Sequence, residues 1–440
     1  MKFKTEQELL NFTKKIIGKK FKDIDKKNLL AIKKNDKGIL GKVVETGFYG
    51  YELNSNPEAD FAELGIELKV AGFKKNKNDT ISAKERLVLS KIDYCKMIDE
   101  EFEFSKLLFK NKKLLIIWYE YDYDNKDNYG DFEIKYYQLY DMGIDEDVFK
   151  NDFNIIKNKV LNGEAHLLSE GDTSYLGACT KGAKGTDRSK QPKSMIRAKP
   201  RAYSLKNGYM TGILRSIDFT SQVPSTFKTA ENYVYEKLKP YFGLTQLEIW
   251  SKVGEYELDL DKGIPKNLNK MISDRIIGKD EELGSIDDVF NKVTYEIKNI
   301  PVNKKDYPIE RLSFKNIHMD VFDEEWDNSS WKNYFEEINL IIVIYEGSSS
   351  IKNGYRVLKD VKSISFTSSD VDSLEQTYKM IQETIRTKDI SKLPYPKSYE
   401  NQILEIAPKG GKGADAYNNF FKSSKTCFMM DKDFVNSKIN

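Results

Sequence analysis

The chain places an aspartate seven residues ahead of a Glu-x-Lys, in Asp60-Phe61-Ala62-Glu63-Leu64-Gly65-Ile66-Glu67-Leu68-Lys69. If Ile66 to Val70 is a strand, Glu67 and Lys69 project together, roughly 6–7 Å apart along it, while Ile66, Leu68 and Val70 face a core. Two carboxylates offer hard oxygen donors to Mg²⁺, and a lysine beside them can hold the attacking water and neutralise charge on a phosphate. The chemistry is phosphodiester hydrolysis. In a chain this rich in Lys and Glu, a bare Glu-x-Lys arises by chance about four times, so Asp60 and the strand pattern carry the weight. The competing reading is a structural ion-pair network.

The elements around this segment follow from hydrophobic pattern. Leu114 to Tyr119 and Leu340 to Tyr345 are apolar runs suited to buried strands and too short to span a bilayer. Gly38-Ile39-Leu40-Gly41-Lys42-Val43-Val44-Glu45 reads as a helix with Leu40, Val43, Val44 and Phe48 on its apolar face, and Met1 to Glu6 enters an amphipathic helix without a signal core. The class is mixed α/β. With 440 residues, two or three domains are expected.

Composition excludes several alternatives. Cys95, Cys179 and Cys427 form neither a disulfide framework nor a zinc motif and fit a reducing cytoplasm; His166 and His318 are too few for a His-based metal nuclease. No phosphate-cradling Gly-x-x-x-x-Gly-Lys-Ser/Thr loop exists, so no ATP chemistry is expected, and no membrane partner. The 71 basic and 69 acidic residues leave a net charge of only +2, but Lys181 to Lys206 holds nine Lys/Arg against Asp187 alone. That cluster reads as a phosphate-contacting loop system, or else as a solvated basic surface.

The chain also repeats itself at an offset of about 225–229 residues. Glu67-Leu68-Lys69 meets Glu296-Ile297-Lys298, Glu85-Arg86-Leu87 meets Glu310-Arg311-Leu312, Ile116 to Glu120 meets Ile342 to Glu346, and Thr180-Lys181-Gly182 meets Pro408-Lys409-Gly410. Residues 1–220 and 221–440 are therefore expected to be duplicated domains, with the seam between Ser216 and Lys228. The second copy has changed where chemistry would sit. Val289 stands seven residues before Glu296, with Asp287 and Asp288 out of strand phase; Glu336 replaces Lys110, and Ser273 replaces Glu45. Lys409 and Lys412 keep the basic loop, whereas Asp431 stands for Lys206. The pattern is that of a DNA-binding domain derived from a nuclease.

Residues 60–69 resemble the active-site segment of the MutH mismatch-repair endonucleases, and more of the chain is similar to the related Sau-type restriction endonucleases that cleave at GATC. Ser82 to Leu89, Leu168 to Leu176, Cys179 to Ala183 and Arg201 to Thr211 carry the rest of the likeness. The resemblance implies two tandem restriction-endonuclease-like domains of the PD-(D/E)xK, MutH-like kind, each a mixed sheet flanked by helices. It implies Asp60, Glu67 and the carbonyl of Leu68 as Mg²⁺ ligands, Lys69 positioning the water, Lys110 assisting at the phosphate, and Glu45 completing the site. Lys181, Gly182, Lys184, Arg201, Tyr203, Ser204 and Lys206 match the base-reading region, Ser204 departing from the family's tyrosine; Lys409 and Lys412 would serve the second domain.

The implied activity is a Mg²⁺-dependent type II endonuclease cutting duplex GATC before the G, leaving 5′-phosphate ends. The C-terminal half would bind a second site as effector, and two chains could meet on the palindrome. The alternatives are a non-cleaving bivalent GATC-binding protein and a MutH-like nickase dependent on partners.

Overall fold

Both apolar runs become the middle strand of a sheet, buried at each of their six residues. The computed structural model describes residues 2–32, 38–52, 58–75, 80–122, 125, 128–182, 186–217, 229–280, 283–286, 289–317, 319–348, 350–408 and 426–440. The expected seam, apart from Ser216 and Ile217 at its start, lies outside them. The chain divides into two compact units, Met1–Leu168 with Asp172–Gln222, and Val223–Asn440 with Ser169–Gly171. Among the described residues no helix is long and apolar enough to cross a membrane.

The N-terminal unit contains β1 (Ile66–Lys75), β2 (Ile81–Ala83), β3 (Leu87–Lys91), β4 (Lys113–Glu120), β5 (Ile134–Asp141), β6 (Leu176–Thr180), β7 (Ser189–Gln191), β8 (Ser194–Ala198) and β9 (Arg201–Leu205). One mixed sheet runs β2-β1-β4-β5, a second runs β3-β9-β6, and β7-β8 is a separate ribbon. β1 lies parallel to β4, with Glu67 opposite Leu114 and Lys69 opposite Ile116. The period of two then sends Ile66 and Leu68 into a core with Val43, Val44, Leu115 and Ile117, leaving Glu67 and Lys69 on the other face. β2 pairs only with Phe73 to Lys75, so the half of β1 that bears Glu67 has no strand on its outer edge among the described residues.

The helix expected through Glu45 changes character. Ile39–Val43 is α-helical, but Val44–Phe48 is a π-turn, with the Tyr49 N–H bonded to Val44 O at 3.1 Å. Such widened turns re-aim a side chain without ending the helix. Leu40 and Phe48 are only partly buried, whereas Thr46 and Gly47 are buried. Gly47 is required by close approach, because a Cβ there would collide with the Ile24 carbonyl.

The Lys/Glu-rich stretch before β4 is also less helical than its composition suggests. It forms two 3₁₀ turns, Met97–Asp99 and Phe102–Phe104, and then the short helix Lys106–Asn111, capped by the Ser105 hydroxyl.

The C-terminal unit repeats this plan with β10 (Tyr295–Val302), β11 (Leu312–Asn316), β12 (Asn339–Glu346), β13 (Val357–Ile364), β14 (Leu404–Pro408) and β15 (Thr426–Met430). Its sheets run β10-β12-β13 and β11-β15-β14. β10 is parallel to β12, with Glu296 opposite Leu340 and Lys298 opposite Ile342, the pairing found at Glu67 and Lys69. Gly18 and Gly243, both at positive φ, each donate an N–H to the strand beyond, at Ile134 O and Leu358 O.

Gly47→Ala should lower the thermal midpoint, overpacking costing about 1–3 kcal/mol. Gly41→Ala, where a Cβ meets nothing within 4 Å, should be neutral or slightly stabilising. Equal midpoints by circular dichroism for the two variants would refute the clamp on the π-turn.

Candidate active site

Asp60 reaches the strand through a closed loop. Phe61 and Ile66 exchange backbone hydrogen bonds of 2.9 and 3.3 Å around a 3₁₀ turn at Ala62–Leu64. Gly65 completes the turn at a φ of 64°, which an L side chain adopts only with strain. The loop delivers the Asp60 carboxylate to the outer edge of β1, where Oδ2 accepts the Leu68 N–H at 2.9 Å. Because the N–H and C=O of one strand residue point to the same side, the Leu68 carbonyl faces this open edge as well.

Glu67 is buried, 4% exposed. Its Oε1 accepts from Lys69 at 2.8 Å and lies 3.5 Å from Lys110 Nζ. The helix Lys106–Asn111 runs into β4, which begins opposite Ile66, and this brings Lys110 alongside. Among the described residues Glu67 Oε2 is buried with no hydrogen-bond partner.

Glu45, half-buried on the π-turn, belongs to the same cluster. Burial pushes its carboxyl above the ordinary range, and the charges of Asp60 and Glu67 push it further. Asp60 is raised by burial and then by Glu67, against the Leu68 N–H, Lys69 and Lys110. The sequence-predicted Glu45, Asp60, Glu67, Lys69 and Lys110 are thus mutually within electrostatic reach.

No three carboxylate, His or Cys side chains among the described residues already form a cation cage. The donor set nonetheless fits a hard divalent cation: the carboxyls of Glu45 and Asp60, both raised by burial and by the Glu67 charge, a Glu67 oxygen left without a partner among the described residues, and a carbonyl on the same edge.

The corresponding position of the C-terminal unit is closed. Glu296 Oε2 is 2.6 Å from Lys298 Nζ, and Oε1 accepts the Tyr334 hydroxyl at 2.7 Å. Burial and the adjoining Glu296 charge push that phenol far above its usual value. Val289 is fully buried in an apolar cluster, and Glu336 is buried on the helix Ser330–Glu337. Ser273 lies 3.4 Å from Asn299 Oδ1. Asp287 and Asp288 lie outside the described residues. Tyr334 had no signal in the motif comparison, since its place in the first copy is an ordinary position of the same helix.

The expected base-reading residues separate into two groups. Lys181 and Gly182 are exposed at the end of β6, with the Lys181 N–H on Pro200 O at 2.7 Å. Arg201, Tyr203, Ser204 and Lys206 are instead buried. They sit on or directly after β9, the middle strand of its sheet. Arg201 donates to the carbonyls of Ala178 and Leu168, and Lys206 to that of Thr173. Tyr203 stacks on Phe153 with ring centroids 5.9 Å apart. Lys184, Lys409 and Lys412 lie outside the described residues.

Asp152 was not expected. Fully buried on the helix Glu146–Leu161, it accepts the N–H groups of Ser174, Tyr175 and Leu176 at 2.7–2.9 Å and so fixes the start of β6, with Lys206 as a nearby compensating charge. Its only sequence trace is an aspartate inside a helical pattern.

A family model described as DNA mismatch repair enzyme MutH matches residues 49–158 and 285–377. The type II restriction enzyme Sau3AI of Staphylococcus aureus is 34% identical over 392 residues, covering 84% of this chain and 77% of that enzyme. The chain belongs to the MutH-related family of restriction endonucleases and is a site-specific deoxyribonuclease.

Proposed function

We propose that the chain is a Mg²⁺-dependent type II endonuclease that cleaves duplex DNA at GATC before the G, leaving 5′-phosphate and 3′-hydroxyl ends. On this reading residues 1–220 cut, and residues 221–440 hold a second GATC as effector, both halves having the PD-(D/E)xK, MutH-like fold. The observation that carries the reading is the contrast between two like-placed glutamates. Among the described residues Glu67 keeps a buried oxygen without a partner, while both oxygens of Glu296 are engaged.

Asp60, Glu67 and the Leu68 carbonyl would hold Mg²⁺, which when bound supplies a Lewis acid that acidifies water and offsets phosphate charge. Lys69, on the face shared with Glu67, orients the water for in-line attack at phosphorus. Lys110 offsets negative charge as the P–O3′ bond breaks and the 3′-oxygen takes up a proton. Glu45 closes the remaining side. Lys181 presents an ammonium suited to guanine O6 and N7. One cutting site per chain means that either two chains meet on the palindrome or one chain acts twice.

With Mg²⁺, a plasmid bearing two GATC sites should be linearised faster than one bearing a single site, and added GATC oligonucleotide should rescue the slower substrate. Equal rates without rescue would remove the effector role, and nicking without double-strand breaks would favour the nickase. Asp60→Asn and Lys69→Ala should each cost on the order of 10²–10³-fold in rate. Full cleavage by Asp60→Asn would sink the assigned site, and no cleavage by the wild-type chain would favour a bivalent DNA-binding protein.

The raised carboxyls of Glu45 and Asp60 also set a sign for stability. Their contribution is present while they are protonated and is lost as pH rises through the raised values. In chelator, the wild-type midpoint should therefore fall relative to Glu45→Gln as pH climbs from the ordinary carboxylate range to neutrality, and Mg²⁺ should reverse the difference. Parallel pH profiles for the two proteins would contradict this.

A further inference from the structure

The β7–β8 ribbon has an organisation that the cutting site does not use. Successive residues Met195, Ile196 and Arg197 of β8 are all exposed, Met195 at 98% and Ile196 at 56%. Because strand side chains alternate, the two apolar residues lie on opposite faces of the ribbon, so neither face is packed there. Single exposed apolar residues are ordinary, but two adjacent ones on an unprotected edge strand are a hazard unless something covers them. Their neighbours identify the cover. Arg188, Lys190, Lys193 and Arg197 are exposed along the same ribbon, and Asp187 is the one acid between Lys181 and Lys206. A surface this basic complements phosphate and repels a second copy of itself.

The ribbon is also held in place. Gln191 is buried; its Oε1 accepts the Ala165 N–H at 2.8 Å, and its Nε2 donates to Ile196 O at 2.6 Å across the ribbon. Lys193 turns at a φ of 57°, its carbonyl close against Gly163. An anchored two-stranded ribbon, wetted on both faces and flanked by cations, has the dimensions of an element that lies in a major groove about 12 Å wide.

We propose that β7–β8 enters the DNA major groove, its cations on phosphates, and that whichever of Met195 and Ile196 lies on the face turned to the bases contacts a thymine C5-methyl group in or beside the recognition sequence. The major groove displays that methyl group, and an apolar side chain is the partner that detects it. The inference rests on the reading of the chain as a GATC endonuclease and adds a specificity contact to it.

The test is a mutant cycle on metal-free binding. Each thymine in the site and in the three flanking base pairs is replaced in turn by deoxyuridine, which lacks only the methyl. At one or more positions uracil should weaken wild-type binding about fourfold, the worth of one buried methyl. One of Met195→Ala and Ile196→Ala should weaken binding to thymine DNA and no longer distinguish thymine from uracil there, and the other should keep the uracil penalty. Lys190→Ala should weaken both DNAs equally and reduce the slope of log affinity against log salt by about one. Uracil indifference in a wild-type chain that cuts GATC would overturn this inference alone. An equal uracil penalty in wild type and both apolar variants would do the same. A wild-type chain that neither binds nor cuts duplex DNA would remove the endonuclease reading and this inference together.

Discussion

A buried glutamate on the face of β1, with Asp60 bonded to the open edge beside it and Glu45 within electrostatic reach, constrains everything around it. Burial and the Glu67 charge raise the cost of ionising Glu45 and Asp60, and Lys69 and Lys110, with the Leu68 N–H at Asp60, offset only part of that cost. A structural ion-pair network would be expected to satisfy its buried oxygens, because an unpaired one forfeits its hydration without return. Glu67 Oε2 remains unsatisfied. The arrangement makes physical sense when a cation completes it, and stability given up locally is a usual mark of a site shaped for binding.

The C-terminal unit shows what the same backbone does when that strain is relieved. Glu296 and Lys298 occupy the register of Glu67 and Lys69 against an equivalent parallel strand. The Tyr334 hydroxyl takes the remaining oxygen, and a buried valine replaces the aspartate. Strand pairing is therefore indifferent to the chemistry it displays, since ladder hydrogen bonds and the apolar face of β10 hold the sheet whatever lies on its other face. Away from the strands the backbone differs as well: Glu45 stands on a π-turn, whereas Ser273 lies inside the α-helix Leu268–Ile276, and the 3₁₀ turn before β1 contrasts with the helix Val289–Lys292 before β10.

The sequence made the strand-borne features legible because periodicity and apolar run length report directly on strands. The central strands, the Glu-x-Lys face and the mixed α/β class follow from Leu114 to Tyr119, Leu340 to Tyr345 and the alternation at Ile66 to Val70. What could not be read were features set by tertiary approach. The π-turn at Glu45 depends on how closely Gly47 meets Ile24, and the closing of Glu296 depends on a tyrosine 38 residues away in sequence. The burial of Arg201, Tyr203, Ser204 and Lys206 was hidden for the same reason. Basic and polar types suggested a surface, but β9 is the middle strand of its sheet, and Arg201 and Lys206 spend their donors on internal carbonyls. A charged residue on a short strand reads as exposed until the strands on both sides are known.

That burial shifts the burden of DNA contact onto fewer cations than the sequence implied. A net charge of +2 cannot steer a duplex from a distance, and screening confines each exposed charge to about 8 Å at physiological ionic strength. On the reading proposed above, the exposed cations left to meet a duplex are Lys181 at the end of β6 and the four on the β7–β8 ribbon. Both are positioned by buried polar anchors, Asp152 at the start of β6 and Gln191 within the ribbon, each satisfied by hydrogen bonds to the backbone it fixes. Rigid anchoring matters because a few well-placed ammonium groups lose less entropy on binding than a long mobile run would. The buried Arg201 and Lys206 hold that platform in shape through the carbonyls of Ala178, Leu168 and Thr173.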